Sequence, residues 1–303
     1  MFGTASEDGG ASFRRPAARI DGASERPTPE NLLYDPALAT GPNGALYVVW
    51  GDNRTVSDSD IVLRRSDDGG LTWGPEVRVD STGDGVPDRE AGVGGLAASQ
   101  QWHPSIAVRG DDVLVAWQDF RRGRNEVFLA RSRDGGRHFD SDHVVAAAAE
   151  LEHRYFPTLA VASTGTVYVV WQADGGAAGD GGDLWLARSD DLGETFTQPV
   201  RVDDAAGSFS VQSRPALAVS SDGRRVAVAW RDSRRGGNEV RLAVSEDGGD
   251  SFAASLAGRA AAAGSVPAQG PPQLAMSAAG SLVLAWHELD PGGVDQVAVT
   301  AVP

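Results

Sequence analysis

Two sets of residues in this chain have the types and the spacing for ligand chemistry. The first set follows a recurring tryptophan as Asp-x-Arg: Asp52-Asn53-Arg54, Asp119-Phe120-Arg121 and Asp232-Ser233-Arg234. A guanidinium is a planar fork that matches a carboxylate, so Arg54, Arg121 and Arg234 are candidates for holding an acidic ligand. The same pattern suits an Asp–Arg ion pair of the framework, and the sequence leaves both readings open. The second set precedes a recurring proline: Tyr34-Asp35, Trp102-His103, Arg154-Tyr155-Phe156 and Ser213-Arg214. Aromatic bodies with polar tips, set beside arginines, suit a sugar, and they suit packing at a strand entrance equally well. These positions vary while their surroundings repeat, which marks Tyr34, Asp35, Trp102, His103, Arg154 and Arg214 as ligand-binding candidates. In the fifth copy Gly270-Pro271 stands before the proline, and Trp286-His287-Glu288 carries Glu in place of Asp. His103 and His287 also read as ordinary hydrogen-bonded surface histidines.

A third group has the spacing of metal ligands. Asp80, Asp84 and Asp88 fall at positions 1, 5 and 9 of a calcium loop, with Gly85 at the turn. Thr82 and Ala91 stand where such a loop has a further carboxylate and its bidentate Glu. A structural calcium and a solvated acidic loop are the two readings.

The elements that must position these residues recur too. Ser-x-Asp-x-Gly-x-(Thr/Ser/His)-(Trp/Phe) begins at Ser6, Ser66, Ser132, Ser189 and Ser245, at intervals of 60, 66, 57 and 56 residues. A motif at such a period marks a repeat architecture. Within each repeat a Pro-x-(Leu/Ile)-Ala strand leads through a turn to an apolar strand ending in Trp50, Trp117, Trp171, Trp230 or Trp286. A third strand, the Ser-x-Asp turn and a short fourth strand follow. Four short strands per repeat describe a propeller blade. The chain therefore reads as all-β, one five-bladed β-propeller of four-stranded antiparallel blades over residues 1–303. The blades fall near 33–80, 103–147, 156–203, 214–258 and 272–303 plus 1–21. The last repeat supplies three strands, so the N-terminal strand near Arg15–Ile20 is expected to pair in the last blade and close the ring. Strand alternation puts the residues before each proline and after each tryptophan on one face, with the Ser-x-Asp turns on the opposite face.

Composition excludes several functions. The chain has 303 residues and a net charge of −15, the wrong sign for nucleic acid or an anionic membrane. It has no cysteine, hence no disulfide and no thiolate metal site. It has no long apolar stretch of the kind a membrane-spanning helix needs. Met1-Phe2-Gly3 leads directly into the first Ser-x-Asp motif, so no secretion signal is visible.

The five motif copies resemble the Asp-box, or bacterial neuraminidase repeat, of the sialidase superfamily. Residues 34–73 look most like the first blade of such an enzyme. The resemblance implies a β-propeller, usually of six blades, and often an exported or cell-surface protein. It implies cleavage of sialic acid by a Tyr nucleophile assisted by Glu, an Asp acid/base and three arginines on the sugar carboxylate. By position Arg54 matches the arginine after the second strand, and Asp60 or Asp58 matches the acid/base Asp. Tyr34 stands where the first arginine belongs. Arg154 and Arg214 are placed with the other two arginines by face alone, and Tyr155 with Glu152 is the candidate nucleophile pair.

The expected function is recognition of a carbohydrate, an acidic sugar, with weak or no hydrolysis. An active exo-sialidase or related glycoside hydrolase and a protein-binding scaffold are the alternatives. A glycoconjugate partner, no nucleic acid, no membrane span, a monomer and no required cofactor complete the expectation.

Overall fold

The computed structural model describes residues 1–6, 8, 11–14, 17–22, 33–54, 59–81, 100–146, 152–174, 182–205, 210–235, 239–257, 266–267, 270–277, 279–289 and 293–302. It is all-β and antiparallel. The chain divides into two compact units, residues 1–123 with 128–143, and residues 124–127 with 144–303.

In the first unit β1 (Phe2–Gly3) pairs with β2 (Ala18–Arg19). A four-stranded sheet follows from β3 (Leu33–Thr40), β4 (Leu46–Asp52), β5 (Asp60–Ser66) and β6 (Val77–Arg78), in that order. The next sheet orders β7 (Gln101–Arg109), β8 (Asp112–Asp119), β9 (Glu126–Ser132) and β10 (His143–Val144) the same way. In the second unit β11 (His153–Val161), β12 (Val167–Asp174), β13 (Asp183–Ser189) and β14 (Val200–Arg201) form one sheet. A further sheet contains β15 (Gln212–Val219), β16 (Val226–Asp232), β17 (Glu239–Ser245) and β18 (Leu256–Ala257). In the last sheet β19 (Val266–Pro267) and β20 (Gln273–Met276) both pair with one side of β21 (Leu282–Leu289), and β22 (Asp295–Val302) pairs with the other.

The second strand of each repeat is apolar throughout because both of its faces are covered. Along β16, Val226, Val228 and Trp230 pack with Tyr168, Val170, Leu184 and Leu186. The alternate residues Ala227 and Ala229 pack with Leu282, Leu284 and Trp286. Trp50, Trp117, Trp171 and Trp230 are all but inaccessible to solvent.

The Ser-x-Asp turns are built as the motif suggests. Ser66 Oγ donates to Asp68 at 2.8 Å and accepts the Gly70 N–H at 2.8 Å. Asp68 Oδ1 accepts the N–H groups of Leu71 and Thr72 at 3.0 and 2.9 Å. Gly70 takes φ of 85°, a conformation that suits glycine alone among common residues. The same Ser–Asp bond recurs at Ser6–Asp8, Ser132–Asp134, Ser189–Asp191 and Ser245–Asp247.

The N-terminal segment corrects the expected closure. Ala18–Arg19 pairs with Phe2–Gly3, not with the last sheet. Ile20 lies in an apolar cluster with Val48, Trp50 and Val62, and the N-terminal amine meets Asp21 at 2.8 Å. These contacts hold the segment on the first repeat's own sheet.

Every complete first strand carries a bulge immediately before its proline. The register shifts between Tyr34 and Ala37, Trp102 and Ser105, Tyr155 and Thr158, and Ser213 and Ala216. The residue at each bulge has positive φ: Asp35 51°, His103 52°, Phe156 53° and Arg214 52°. The fifth repeat has Pro271 there, whose ring fixes φ near −65°. It cannot form the bulge, and its first strand is split into β19 and β20.

The residue opposite each strand entrance is fitted to it. Tyr34 faces Gly51 across the β3–β4 ladder, and a Cβ at Gly51 would overlap the Tyr34 ring. Gly51→Ala is expected to displace Tyr34 and cost about 1–3 kcal/mol, the range for overpacking. Urea unfolding measures it, and an unchanged midpoint would contradict the fit.

Candidate functional site

The three arginines after tryptophan are framework. Arg54 Nε reaches the two Asp52 oxygens at 2.9 and 2.8 Å, and its fork meets Glu76 at 3.0 Å. Arg121 lies between Asp119 at 2.6 Å and Asp142 at 3.0 Å. Arg234 lies between Asp232 at 2.8 Å and Asp204 at 2.6 Å. In each case the central Asp also accepts the arginine's own N–H and the indole N–H of the preceding tryptophan. One carboxylate thus ties together the tryptophan, the next turn and a guanidinium. The ion-pair reading holds for all three, and their forks are filled by the protein itself.

Asp60 and Asp80 are held in the same manner. Arg78 bridges them at 2.7 and 2.9 Å, and Asp80 accepts the Ile61 N–H at 2.9 Å. The third repeat copies the arrangement with Asp183, Arg201, Asp203 and the Leu184 N–H. A residue that recurs in this way is doing a sheet's work. Asp58, Asp84 and Asp88 lie outside the described residues. Among the described residues no group of three or more His, Cys, Asp or Glu could hold a metal ion.

Tyr34 donates its hydroxyl to the Gln101 carbonyl at 3.3 Å, and burial pushes its phenol up to about 12. Asp35 meets His103 Nδ1 at 2.9 Å. Trp102 is half-buried opposite Gln118. Arg154 is buried, pairs with Glu152 at 2.8 Å and lies 5.1 Å over the Trp171 ring. Glu152 is therefore engaged with Arg154, where the sequence suggested Tyr155.

The third repeat breaks the pattern, and the unassigned chemistry gathers beside that break. Ala173 replaces the central Asp, so the buried Trp171 Nε1 has no acceptor. Asp174 lies one position further on, directly across the ladder from His153. The Asp174 carboxyl and the Asn125 side chain both lie close enough to the Tyr155 hydroxyl to act on its pKa. Burial raises the pKa of both Tyr155 and Asp174, with the Tyr155 bond and His153 opposing the rise at Asp174. The Asn125 N–H donates to His153 Nδ1 at 3.3 Å, which places the neutral ring's proton on Nε2. The His153 and Tyr155 rings stack at 6.0 Å and 12°, and Tyr155 meets Phe156 at 6.2 Å and 37°. Residues 155 and 156 would point to opposite faces of a regular strand. The bulge at Phe156 turns its ring to its neighbour's side, as bulges do.

The row continues into the fourth repeat. Arg214, on the equivalent bulge, lies 4.6 Å over the Phe156 ring. Arg231, at the end of β16, faces Ser213 across the ladder, and its Nε is buried without a partner. Burial and the Arg214 charge lower the Arg231 pKa. Arg231, His153 and Asp174 were not among the sequence's site candidates, and Phe156 was noted there only beside Tyr155. A signal for Arg231 existed: the residue after each tryptophan varies, as Gly51, Gln118, Gln172, Arg231 and His287. The cluster thus offers stacking surfaces, one carboxyl shifted toward its neutral form, and two guanidiniums.

No protein-family model matches the chain, and no curated protein sequence matches it. Solved structures do. The chain is similar to the GH93 α-L-arabinofuranosidase of Fusarium graminearum, with a TM-score of 0.64 at 16% identity over 99% of this chain and 84% of that one. It is similar to the α-L-arabinanase of Penicillium chrysogenum, with a TM-score of 0.62 at 17% identity, covering 89% and 81%. It is similar to the NanB sialidase of Streptococcus pneumoniae, with a TM-score of 0.60 at 10% identity, covering 90% and 59%. At these identities the likeness is one of fold, that of the β-propeller glycoside hydrolases.

Proposed function

We propose that the protein is a sialidase-type propeller, its Ser-x-Asp turns being Asp-boxes, that binds a glycan along His153, Tyr155 and Phe156 and hydrolyses it weakly or not at all. The observation that carries the reading is the aromatic row beside Asp174 in a repeat that lacks the framework's Asp–Arg tie. Aromatic faces stack on the apolar faces of sugar rings, while a few convergent polar groups read hydroxyls. Asp174, the Tyr155 hydroxyl and the Asn125 amide are such groups. The fold likeness to carbohydrate-active enzymes supports a sugar over a protein ligand.

Hydrolysis by most glycosidases needs two carboxyl groups across the scissile bond. The described cluster supplies one outside an arginine pair, Asp174. Burial also raises the Tyr155 phenol, the wrong direction for a nucleophile. A hydrolase reading keeps one support, the raised Asp174 carboxyl, which suits a proton donor.

A glycan array followed by calorimetry tests the proposal. Tyr155→Ala is expected to weaken binding about tenfold, the loss of roughly one aromatic contact. A blank array, or equal binding by Tyr155→Ala, would sink the binding half. Rapid turnover of arabinosyl or sialyl chromogenic substrates, abolished by Asp174→Asn, would overturn the weak-hydrolysis half.

A further inference from the structure

We infer that a second site, for a small aromatic oxyanion, lies between the Ser66 and Ser132 turns, with the acid group on Arg137 and Arg65 and the ring on Trp73. It goes beyond the glycan reading and uses none of that site's residues.

A cleft of about 600 Å³ opens between these turns, within the first unit, and Trp73, Pro75, Val77, Arg65, Arg137 and His138 help to line it. That is the size of a small-molecule pocket. It sits at the end of the first sheet where Leu46 faces Ser66, away from the end where Tyr34 faces Gly51. Three of its residues break the repeat. Trp73 closes its turn where Phe13, Phe139, Phe196 and Phe252 close the others. Arg137 stands where the other copies have Ala11, Leu71, Glu194 and Asp250. His138 stands where the others have Ser or Thr, and its Nδ1 meets Asp134 at 2.6 Å in place of the hydroxyl.

The junction between the Ser189 and Ser245 turns shows what the cleft lacks. There Arg188 donates to the Gly248 carbonyl at 3.1 Å and to Asp250 at 2.9 Å. Arg65 makes the first of these bonds, to the Gly135 carbonyl at 3.1 Å, and pairs with Asp67 at 2.7 Å. Where Asp250 would give it a second carboxylate, Arg137 stands instead. The Nη1 atoms of Arg65 and Arg137 both lie within 3.4 Å of the place a Gly135 Cβ would occupy. Arg137 Nη1 donates to the Asp134 carbonyl, and among the described residues Arg137 has no carboxylate partner. Two guanidiniums thus converge where the framework elsewhere sets an Arg–Asp pair. An oxyanion there supplies the absent carboxylate and meets charged donors. Arg65 is also held over the Tyr47 ring at 5.4 Å, so its charge is fixed in place before any ligand arrives. The other end of the cleft selects a ring. Trp73 offers a flat face, with Pro75 and Val77 beside it. The nearby polar groups are spent, Asp67 on Arg65 and Asp68 on Thr72, so they do not read the hydroxyls of a sugar. A ligand that satisfies both ends joins an aromatic ring to a carboxylate or phosphate.

Calorimetry with indole-3-acetate tests this, beside indole-3-acetamide, which keeps the ring without the charge, and acetate, which keeps the charge without the ring. The aromatic acid is expected to bind about tenfold or more tighter than either, the effect of one charge-assisted hydrogen bond or one aromatic contact. Arg137→Gln is expected to erase the preference for acid over amide. Arg137→Asp, which restores the charge that Asp250 supplies, is expected to pair with Arg65 and abolish binding, with a melting temperature no lower than the parent's. Trp73→Phe, the residue of the other turns, is expected to weaken binding severalfold. Tyr155→Ala is expected to bind as the parent does, which separates this site from the glycan reading. Equal binding of acid and amide, equal binding of acetate, or binding intact in Arg137→Asp overturns the inference. Loss of binding in Tyr155→Ala overturns it too, because the ligand would then occupy the glycan site. So does an absence of heat with both indole-3-acetate and phenyl phosphate at millimolar concentration. Tighter binding of phenyl phosphate, lost in Arg137→Asp, upholds the site and assigns its acid group as a phosphate.

Discussion

Asp119→Ala is expected to cost about 3–5 kcal/mol of folding stability, the range for removing one partner of a buried ion pair. The side chain is inaccessible, and it accepts the Trp117 indole N–H at 2.8 Å, the Arg121 backbone N–H at 2.8 Å and Arg121 Nε at 2.9 Å. Removing it orphans a buried indole donor and leaves Arg121 with Asp142 alone. Domains are stable by about 5–15 kcal/mol in total, so this one change removes a large share. Asp119→Asn keeps an acceptor for the indole and drops the charge, and should lose less. Urea unfolding of both variants decides the matter. A loss under about 1 kcal/mol for the alanine variant would mean that neighbouring groups or water take over the bonds.

The framework was legible because it repeats. Each second strand is a run of valine, alanine and leucine closed by tryptophan, and each turn spells Ser-x-Asp-x-Gly. Local rules fix both, so they could be read from one chain without its neighbours. Closure was not legible. It depended on whether a two-residue strand would pair with a distant sheet or stay by Ile20 and Trp50, and no local pattern decides that competition. The bulges were hidden as well. Pro36, Pro104, Pro157 and Pro215 announced a common strand start, but positive φ at Asp35, His103, Phe156 and Arg214 follows from pairing register, which the letters do not show.

The candidate site was half legible. Variation inside a repeated frame pointed to Tyr155 and Arg214 before the prolines, and the proposed site lies beside both. Recurrence with a fitting side chain drew attention to Arg54, Arg121 and Arg234, and these are tied down in ion pairs. The test for variation, applied one residue after each tryptophan, would have found Arg231. Applied two residues after each tryptophan, it would have flagged Ala173, where the expected Asp is absent and a buried indole is left without its acceptor. Asp174 could not be found this way, because the cluster beside it forms only when Asn125, from the loop before β9, meets His153 across from Asp174.

Acid is expected to unfold the protein through the turns. Hydrogen bonds from Thr72 and Ser66 hold the Asp68 carboxyl at about 2, and bonds from Ser245 and Ser251 do the same for Asp247. At Asp191 burial pushes upward, and the Thr195 and Ser189 bonds outweigh it to give about 2. Asp8 and Asp134 are lowered further, and Asp232 is lowered by Arg234 and Trp230 against its burial. All start from an ordinary value of 3.8. A carboxyl whose folded pKa is depressed adds stability above its unfolded value and loses it as pH falls through the folded value. The loss therefore falls between about pH 4 and pH 2. Each exposed turn contributes little alone, but the motif recurs through the chain and its members titrate together. Net charge acts first in the opposite sense. From −15 at neutrality the chain approaches balance near its isoelectric point of 4.7, which relieves self-repulsion. Below that point the arginines remain charged while their carboxylates are lost, and repulsion returns with the opposite sign. The melting temperature should thus hold or rise slightly from pH 7 to about pH 5 and fall steeply below about pH 4. Circular dichroism melts across that range test it, and a curve flat to pH 2 would show that the turns' aspartates have ordinary pKa values in the folded chain. Asp247→Asn removes one titrating group and should make the acid limb shallower, because the slope counts the protons taken up on unfolding.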